Sequence, residues 1–75
     1  MKFNYYSDTD SLYIDLSSNI SAESKEVSEG IVIDYDSDGK IVGIDIDNAS
    51  KKIDLNDISF IGLPFMDQKK ELQKG

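Results

Sequence analysis

Four aspartates between residues 34 and 45 have the spacing of a calcium-binding loop. Counted from Asp34 as the first position, Asp36, Asp38 and Asp45 fall at positions three, five and twelve of an EF-hand loop. Gly39 falls at position six, where such a loop requires glycine for a sharp turn. Because carboxylate oxygens are the ligands that calcium prefers, the spacing alone predicts a calcium-responsive binding module.

The elements that flank these aspartates favour a different structure. EF-hand loops lie between two amphipathic helices, whereas both flanks here alternate with a period of two and are rich in β-branched residues. In a β-hairpin, Asp34 and Asp36 would lie on the outer face and Asp38 in the turn, so their carboxylates would not converge. Asp45 is also shorter than the glutamate that usually supplies the bidentate ligand. We therefore expect a hairpin that holds no metal or other cofactor, and keep the calcium module as the alternative hypothesis.

The hairpin from Ile31 to Ile46 has a register that its side chains define. A two-residue turn at Asp38 and Gly39, with the glycine at positive φ, places the apolar side chains of both strands on one face. The predicted pairs are Tyr35 with Val42, Ile33 with Ile44 and Ile31 with Ile46. A three-residue loop would shift the pairing by one residue and lose this face, whereas a four-residue loop would keep it.

A second hairpin is predicted at the start of the chain. Apolar residues alternate with polar ones on both sides of the turn-forming residues 7–10. The resulting pairs are Tyr5 with Leu12, Phe3 with Ile14, Lys2 with Asp15 and Asn4 with Tyr13. Residues 17–30 are rich in Ser and Glu and have little periodicity. We expect them to form a surface connection between the hairpins, with a short extended piece near Val27.

The C-terminal third carries weaker signals. Asn48 or Ser50 could cap a single helical turn, and the apolar residues between Ile53 and Ile61 could cover the sheet as a strand or a short helix. Pro64 ends any regular element, and the residues after it lack an apolar stripe. We predict a single β-rich domain at residues 1–62 and a flexible or frayed helical tail at 63–75. The predicted fold class is α+β, mainly β: a small antiparallel sheet of two β-hairpins with a short C-terminal helical or irregular segment.

The composition argues against several classes of function. The 75 residues include no cysteine and no histidine, which removes thiol nucleophiles, structural zinc and the usual general base at neutral pH. We therefore expect no enzyme activity. The net charge of −7 and the absence of arginine argue against nucleic-acid binding. No apolar run is long enough for a membrane span and no signal peptide begins the chain, so we expect a cytoplasmic protein without membrane contact.

The face opposite the apolar one carries the candidate binding residues. Tyr13, Val32 and Ile41 are predicted on this face, where a solvated sheet would normally be polar. We expect a cover for them, either the C-terminal segment or a second copy of the chain in a homodimer. Gly43, in the middle of its strand, marks either a close neighbour or a weak point of the ladder. Aspartates surround the apolar residues, so a basic protein partner is also predicted. The predicted partner-binding residues are Tyr13, Asp15, Val32, Asp34, Asp36, Ile41 and Asp45.

An ordered set of short stretches resembles a known family. The stretches are FNYY (3–6) with Asp8 and Asp10, SLYI (11–14), ESKEV (23–27), GIVIDYD (30–36), DGKIVGIDI (38–46) and Ala49-Ser50. Together they resemble the small prokaryotic family called domain of unknown function 2283 (DUF2283), from about Phe3 to Ile53. This chain has Asp45 where the family more often has glutamate, and its tail after Leu55 lies outside the shared pattern.

The resemblance implies no established reaction. Members of the family occur beside genes for small toxin-like proteins, so the resemblance implies an antitoxin-like role by analogy. The sequence thus leads to the hypothesis of a non-enzymatic acidic protein-interaction module that neutralises or docks a basic partner.

Overall fold

An open antiparallel sheet forms the body of the protein, and the predicted mainly-β fold class is confirmed. The computed structural model describes residues 1–64 of the chain. The strands in this part are β1 (Lys2–Tyr6), β2 (Ser11–Asp15), β3 (Glu23–Ser28), β4 (Ile31–Tyr35) and β5 (Ile41–Ile46), followed by the one-turn helix α1 (Ala49–Lys52). The order across the sheet is β1-β2-β5-β4-β3, and every neighbouring pair is antiparallel.

The first hairpin has the predicted register. Phe3 lies opposite Ile14 and Tyr5 lies opposite Leu12, as the alternation of apolar and polar residues requires. Strand β2 then pairs with β5, which places Leu12 opposite Ile46. The two predicted hairpins therefore lie side by side in one sheet and meet through their second strands, an arrangement that the sequence left open.

The second hairpin keeps two of its three predicted pairs. Ile33 lies opposite Ile44 and Ile31 lies opposite Ile46, as predicted. The third predicted pair, Tyr35 with Val42, is wrong. Tyr35 lies opposite Ile41 instead, because the register between β4 and β5 shifts at the end of β4.

The turn of this hairpin has three residues, Ser37 to Gly39, and not the two that were predicted. The Asp36 N–H donates to the Lys40 carbonyl at 2.8 Å, and the Gly39 N–H donates to the Asp36 carbonyl at 3.0 Å. Gly39 has a φ of 83°, the left-handed conformation that closes a three-residue hairpin loop. The bulge next to the turn adds one residue to β5, which restores the common apolar face that a three-residue loop would otherwise lose.

Strand β3 lies where the sequence predicted only a short extended piece near Val27. Glu23–Ser28 pairs with β4 at the edge of the sheet, within the segment that was expected to be a surface connection. All of its residues are exposed, so no apolar alternation marks it as a strand. Its charged side chains and the register shift between Glu26 and Ser28 are features that protect a sheet edge from further pairing.

A small core lies between the apolar face of the sheet and the residues that follow β5. Leu12, Ile46 and Ala49 are buried, and Ile53 and Leu55 pack against them. The predicted cover of the sheet by this segment is therefore confirmed on the apolar face. Burial of these side chains is the main stabilising term for such a small domain, since the hydrophobic effect scales with the apolar area removed from water.

Helix α1 is held to the turn between β1 and β2 by Asp10. Asn48 precedes the helix, as predicted, but its side chain makes no capping hydrogen bond. Instead, the Asp10 carboxylate accepts the Ser50 hydroxyl at 2.7 Å, the Ser50 N–H at 3.1 Å and the Tyr5 hydroxyl at 2.8 Å. These hydrogen bonds, that of the Ser50 hydroxyl first, hold the pKa of Asp10 below its usual value. The cap thus comes from a residue 40 positions earlier in the chain.

Two further expectations concern membrane-spanning segments and the C-terminal tail. None of the helices within residues 1–64 has the length and apolar composition that crossing a membrane requires. Most of the predicted tail, residues 65–75, lies outside the described residues. The predicted domain boundary after residue 62 and the frayed tail therefore stay predictions.

Candidate functional site

The candidate site is the face of the sheet opposite the core, which we call the outer face. Cross-strand pairing places its side chains in two rows. The first row consists of Asn4, Tyr13, Asp45, Val32 and Glu26. The second row consists of Lys2, Asp15, Gly43, Asp34 and Ser24. Five of the seven predicted partner-binding residues lie in these rows: Tyr13, Asp15, Val32, Asp34 and Asp45.

The two rows are joined where the Tyr13 side chain crosses strand β5. Its hydroxyl donates to a carboxylate oxygen of Asp34 on β4, at 2.9 Å. Gly43 lies directly beneath, and a Cβ at this position would overlap the Tyr13 hydroxyl and the adjoining ring carbon. The Ser24 hydroxyl on β3 donates to the other Asp34 oxygen at 2.6 Å. One chain of hydrogen bonds therefore spans β2 to β3, and it requires glycine at position 43.

Only one feature of the sequence indicated this arrangement, the glycine within a β-branched strand. The close neighbour that Gly43 accommodates is Tyr13 of the same chain, not another molecule. Ser24 was not identified from the sequence, and neither was Asn19, which binds another carboxylate of the same hairpin. Their partners lie 10 and 17 residues away, so no local pattern indicates these contacts.

Carboxylates crowd the outer face, and their charges contribute to raised pKa values of Asp45 and Tyr13. Asp45 is half-buried, and its pKa is raised first by desolvation and then by the negative charges of Asp47 and Asp34. The pKa of Tyr13 is raised to about 12, first by desolvation, then by its hydrogen bond to Asp34 and by the nearby aspartates. Tyr13 therefore remains a hydrogen-bond donor at neutral pH. Both shifts have the sign that an excess of neighbouring negative charge produces.

Asp36 is not an exposed carboxylate of the outer face, which corrects its predicted placement. Its residue is only 7% exposed, and one carboxylate oxygen accepts the N–H groups of Asp38 and Lys40, each at 2.9 Å. The Asn19 side chain donates to the other oxygen at 3.0 Å. These hydrogen bonds, that from the Lys40 N–H first, hold the pKa of Asp36 below its usual value. Asp36 therefore shapes the turn, and its oxygens are already engaged.

Ile41 is also displaced from its predicted position. The bulge at the start of β5 places it opposite Tyr35, whereas Tyr13 and Val32 lie opposite Asp45 in the first row. Ile41 is 43% exposed, but it does not continue that row. The predicted apolar patch of three residues is therefore reduced on the outer face to Tyr13 and Val32, both half-buried.

The described part of the C-terminal segment lies on the other side of the sheet. The ring centroid of Phe60 is 5.6 Å from that of Phe3, and Leu55 packs against the core. Of the two predicted covers for the outer face, the C-terminal segment as far as residue 64 is therefore wrong. A second copy of the chain stays a prediction.

The four aspartates of the calcium hypothesis do not converge. The carboxylate of Asp36 is bound to its own turn, and that of Asp34 is bound to Tyr13 and Ser24. Among residues 1–64, no group of three or more Asp, Glu, His or Cys side chains is placed to hold a metal ion. Strands flank the turn where an EF-hand loop has helices. The geometry favours the hairpin interpretation.

The sheet and the outer face fall within a recognised family. Residues 2–50 match the model of the family described as "Protein of unknown function (DUF2283)". The matched region includes all five strands described above and both rows of the outer face. No curated protein and no solved structure matches the chain.

Proposed function

The chain belongs to the DUF2283 family, whose function is unknown, and we propose that it is a non-enzymatic docking domain for a basic protein segment. The outer face is the proposed docking surface. Tyr13 and Val32 form its apolar part, the carboxylates of Asp15 and Asp45 lie beside them, and the Asp34 carboxylate holds Tyr13 in place. The proposed biological role is antitoxin-like: the domain neutralises a basic partner by binding to it.

The crowding of carboxylates around a half-buried tyrosine is the observation that supports this proposal. Asp45 is partly removed from water beside Asp47 and Asp34. A lysine or arginine of a partner would favour the ionised form of Asp45, since an opposite charge offsets both desolvation and like-charge repulsion. The net charge of −7 would also attract a basic partner before contact.

The apolar part of the surface is held in place by the chain itself. The hydrogen bonds of Asp34 with Tyr13 and Ser24 fix the tyrosine ring across β5. A rigid aromatic side chain provides contact area with little loss of conformational entropy on binding. This supports a partner segment that lies flat across the strands, with its basic side chains at the surrounding carboxylates.

Titration with a fluorescent lysine-rich peptide tests the docking surface. We expect binding to shift the NMR amide signals of Tyr13, Gly43 and Asp45. We expect the affinity to fall as salt is added, because exposed charges are screened beyond roughly 8 Å at physiological ionic strength. The control peptide has glutamine in place of every lysine. The absence of binding, or shifts confined to the apolar face, would contradict the proposal.

Charge reversal distinguishes the outer face from the charge of the whole protein. The double substitution Asp15→Lys and Asp45→Lys is expected to weaken peptide binding about tenfold, roughly 1.4 kcal/mol. The matched control reverses Asp8 and Asp57, which are exposed and lie outside the two rows. Equal weakening by both pairs would indicate a non-specific charge effect and would refute a defined docking surface.

Co-expression with the product of the neighbouring gene tests the antitoxin-like role separately. We expect that product to inhibit growth, the wild-type chain to restore growth, and the Asp15→Lys and Asp45→Lys double variant to fail. A neighbouring product without effect on growth would refute the antitoxin-like role. The peptide titration would still decide whether the outer face docks basic segments.

A further inference from the structure

The two edges of the sheet differ in how they are protected. The edge strand β3 has three charged side chains, Glu23, Lys25 and Glu26, and a register shift against its neighbour, both of which oppose pairing with another strand. The other edge strand, β1, pairs with β2 without any register shift and contains three aromatic residues and one lysine. Such a regular and nearly uncharged edge is a template for strand addition.

The hydrogen-bonding pattern of the sheet shows in which direction the backbone N–H and carbonyl groups of the β2 residues point. The Leu16 N–H donates to the Val42 carbonyl at 2.9 Å, which makes Asp15 and Gly43 a non-hydrogen-bonded pair of the β2–β5 ladder. Tyr13 lies two residues earlier, so its pair with Asp45 is also non-hydrogen-bonded. The backbone groups of Asp15 and Tyr13 therefore point towards β1.

The same alternation fixes the direction of the backbone groups in β1. Lys2 pairs with Asp15 and Asn4 pairs with Tyr13. The backbone N–H and carbonyl groups of Lys2 and Asn4 therefore point towards β2 and form hydrogen bonds within the hairpin. The N–H and carbonyl groups of Phe3 and Tyr5 consequently point outwards, to a sheet edge that pairs with no further strand among residues 1–64. Two donors and two acceptors in regular spacing are thus presented there.

We propose that β1 pairs with β1 of a second copy of this chain, antiparallel and centred on Asn4, to give a continuous ten-stranded sheet across a twofold axis. In this register Phe3 of one copy lies opposite Tyr5 of the other, so all the outward-pointing groups pair. Asn4 lies opposite Asn4 of the second copy. The interface is self-complementary, as twofold symmetry requires.

The low negative charge and the exposed apolar side chains of β1 favour a second copy of the chain as the binding partner at this edge. Strands β2, β3, β4 and β5 each contain at least one carboxylate, whereas β1 contains none. Two chains of net charge −7 therefore meet there with the least repulsion. Phe3 and Tyr5 are 36% and 46% exposed, and Phe60, exposed beside Phe3, extends the apolar junction.

The dimer leaves the outer face free, so the inference is independent of the proposed docking function. A ladder of this length with few flanking side chains is smaller than a standard protein interface, and we expect a dissociation constant on the order of micromolar. Sedimentation velocity of the full chain should therefore show a concentration-dependent dimer. A monomer at high micromolar concentration would overturn the proposal.

Single cysteines test the register, because the chain has no cysteine of its own. In the proposed register the two residues at position 4 form a non-hydrogen-bonded pair with a Cα separation of about 4.5 Å, within the disulfide range. Asn4→Cys should therefore oxidise readily to a covalent dimer, whereas Lys2→Cys on the same strand and Val27→Cys on the other edge should not. Equal crosslinking at all three positions would refute the register.

A charge at the centre of the ladder provides a second test that does not depend on oxidation. Asn4→Lys places two lysines opposite each other, and we expect it to weaken dimerisation about fivefold, within the range for directly opposed like charges. Val27→Lys is the control at the other edge. Circular dichroism establishes that each variant is folded. A dimer equally sensitive or insensitive to both substitutions would show that β1 is not the contact.

Discussion

The turn at Asp36 and the outer face around Asp45 place the same side chain in opposite electrostatic environments. Asp36 accepts hydrogen bonds from Lys40, Asp38 and Asn19, and its pKa lies below the usual 3.8. Asp45 is desolvated beside other carboxylates, and its pKa lies above 3.8. The negative charge of Asp36 is therefore stabilised by hydrogen bonds within the fold, whereas the negative charge of Asp45 has no such stabilisation from residues 1–64.

The comparison indicates where binding belongs on this molecule. A carboxylate whose charge is already stabilised by its own chain gains little from a partner cation. A carboxylate held near other negative charges gains more, since the partner removes repulsion that the free protein retains. Acidic residues that look alike in the sequence therefore divide into structural ones, such as Asp10 and Asp36, and candidate binding ones, such as Asp45.

Substitution of two glycines is expected to give the largest effects. Gly43→Ala on the outer face would overlap Tyr13, and we expect it to lower the free energy of unfolding by about 2 kcal/mol, as overpacking does. A Cβ at Gly39 in the turn would meet no atom within 4 Å. Gly39→Ala should therefore lower the free energy of unfolding only by the penalty for a positive φ, about 1 kcal/mol. Urea denaturation measures both values.

A Tyr13→Ala background separates the two causes. Without the tyrosine ring, the penalty of Gly43→Ala should shrink, because the three atoms nearest to the new Cβ all belong to Tyr13. The penalty of Gly39→Ala should be unchanged, since it arises from the backbone. If the Gly43→Ala penalty is the same in both backgrounds, Tyr13 is not the reason for glycine at this position.

Removal of the Tyr13 hydroxyl is expected to have the next largest effect. Tyr13→Phe keeps the ring but loses the hydrogen bond to Asp34, so we expect a loss of about 1 kcal/mol at neutral pH. An unfolded tyrosine ionises near pH 10, whereas folded Tyr13 has a pKa of about 12. The stability gap between wild type and variant should therefore be complete below pH 10 and close as the pH rises towards 12. Urea denaturation between pH 8 and pH 12 checks this, and a gap that widens in that range would contradict it.

Neutralising the two contrasted aspartates should change stability in opposite directions. Asp36→Asn loses an acceptor of the turn and should lower the thermal midpoint at pH 7. Asp45→Asn relieves desolvation and repulsion, and should raise stability slightly, by about 0.3 kcal/mol after allowance for solvent screening.

The pH dependence of these two variants follows from the pKa directions. The stabilising charge of Asp36 is present above pH 3.8 and is lost as the pH falls through its lower folded pKa, so the deficit of Asp36→Asn should disappear in acid. The folded pKa of Asp45 is raised, so its unfavourable ionisation is absent below pH 3.8 and complete above the folded value. The gain from Asp45→Asn should therefore also vanish in acid. Stability changes of the same sign at pH 7 would abolish the contrast.

Calcium is expected to have the smallest effect. Because the aspartates of residues 34–45 do not converge, millimolar calcium should leave the NMR amide signals of Gly39 and Asp45 unchanged. Magnesium at the same ionic strength is the control. A saturable shift at Gly39 specific to calcium would revive the alternative hypothesis and would blur the division between turn and outer face.

The parts of the fold with a buried face could be predicted from the sequence. Alternation in β1, β2, β4 and β5 specified the pairs Phe3 with Ile14 and Ile33 with Ile44, because a slip by one residue would expose every apolar side chain. Strand β3 could not be predicted this way, since it buries neither face. The bulge at Val42 was also hidden, because periodicity does not distinguish a two-residue turn from a three-residue turn followed by an extra residue.

The organisation of the outer face depended on strand order, which the sequence does not specify. Tyr13 reaches Asp34 only because β2 and β4 flank β5. The sequence shows a glycine at position 43, but it does not show that the Tyr13 side chain lies over this glycine. The division of aspartates into structural and uncompensated ones likewise required long-range partners, such as Asn19 for Asp36.

Carbon-detected NMR titration of the side-chain carboxyl groups of Asp36 and Asp45 tests the central contrast most directly. In the free protein, the pKa of Asp45 should lie above 3.8 and that of Asp36 below it. Saturation with the lysine-rich peptide should lower the pKa of Asp45 and leave that of Asp36 unchanged. An Asp45 pKa at or below 3.8 in the free protein, or one that the peptide does not change, would contradict the account.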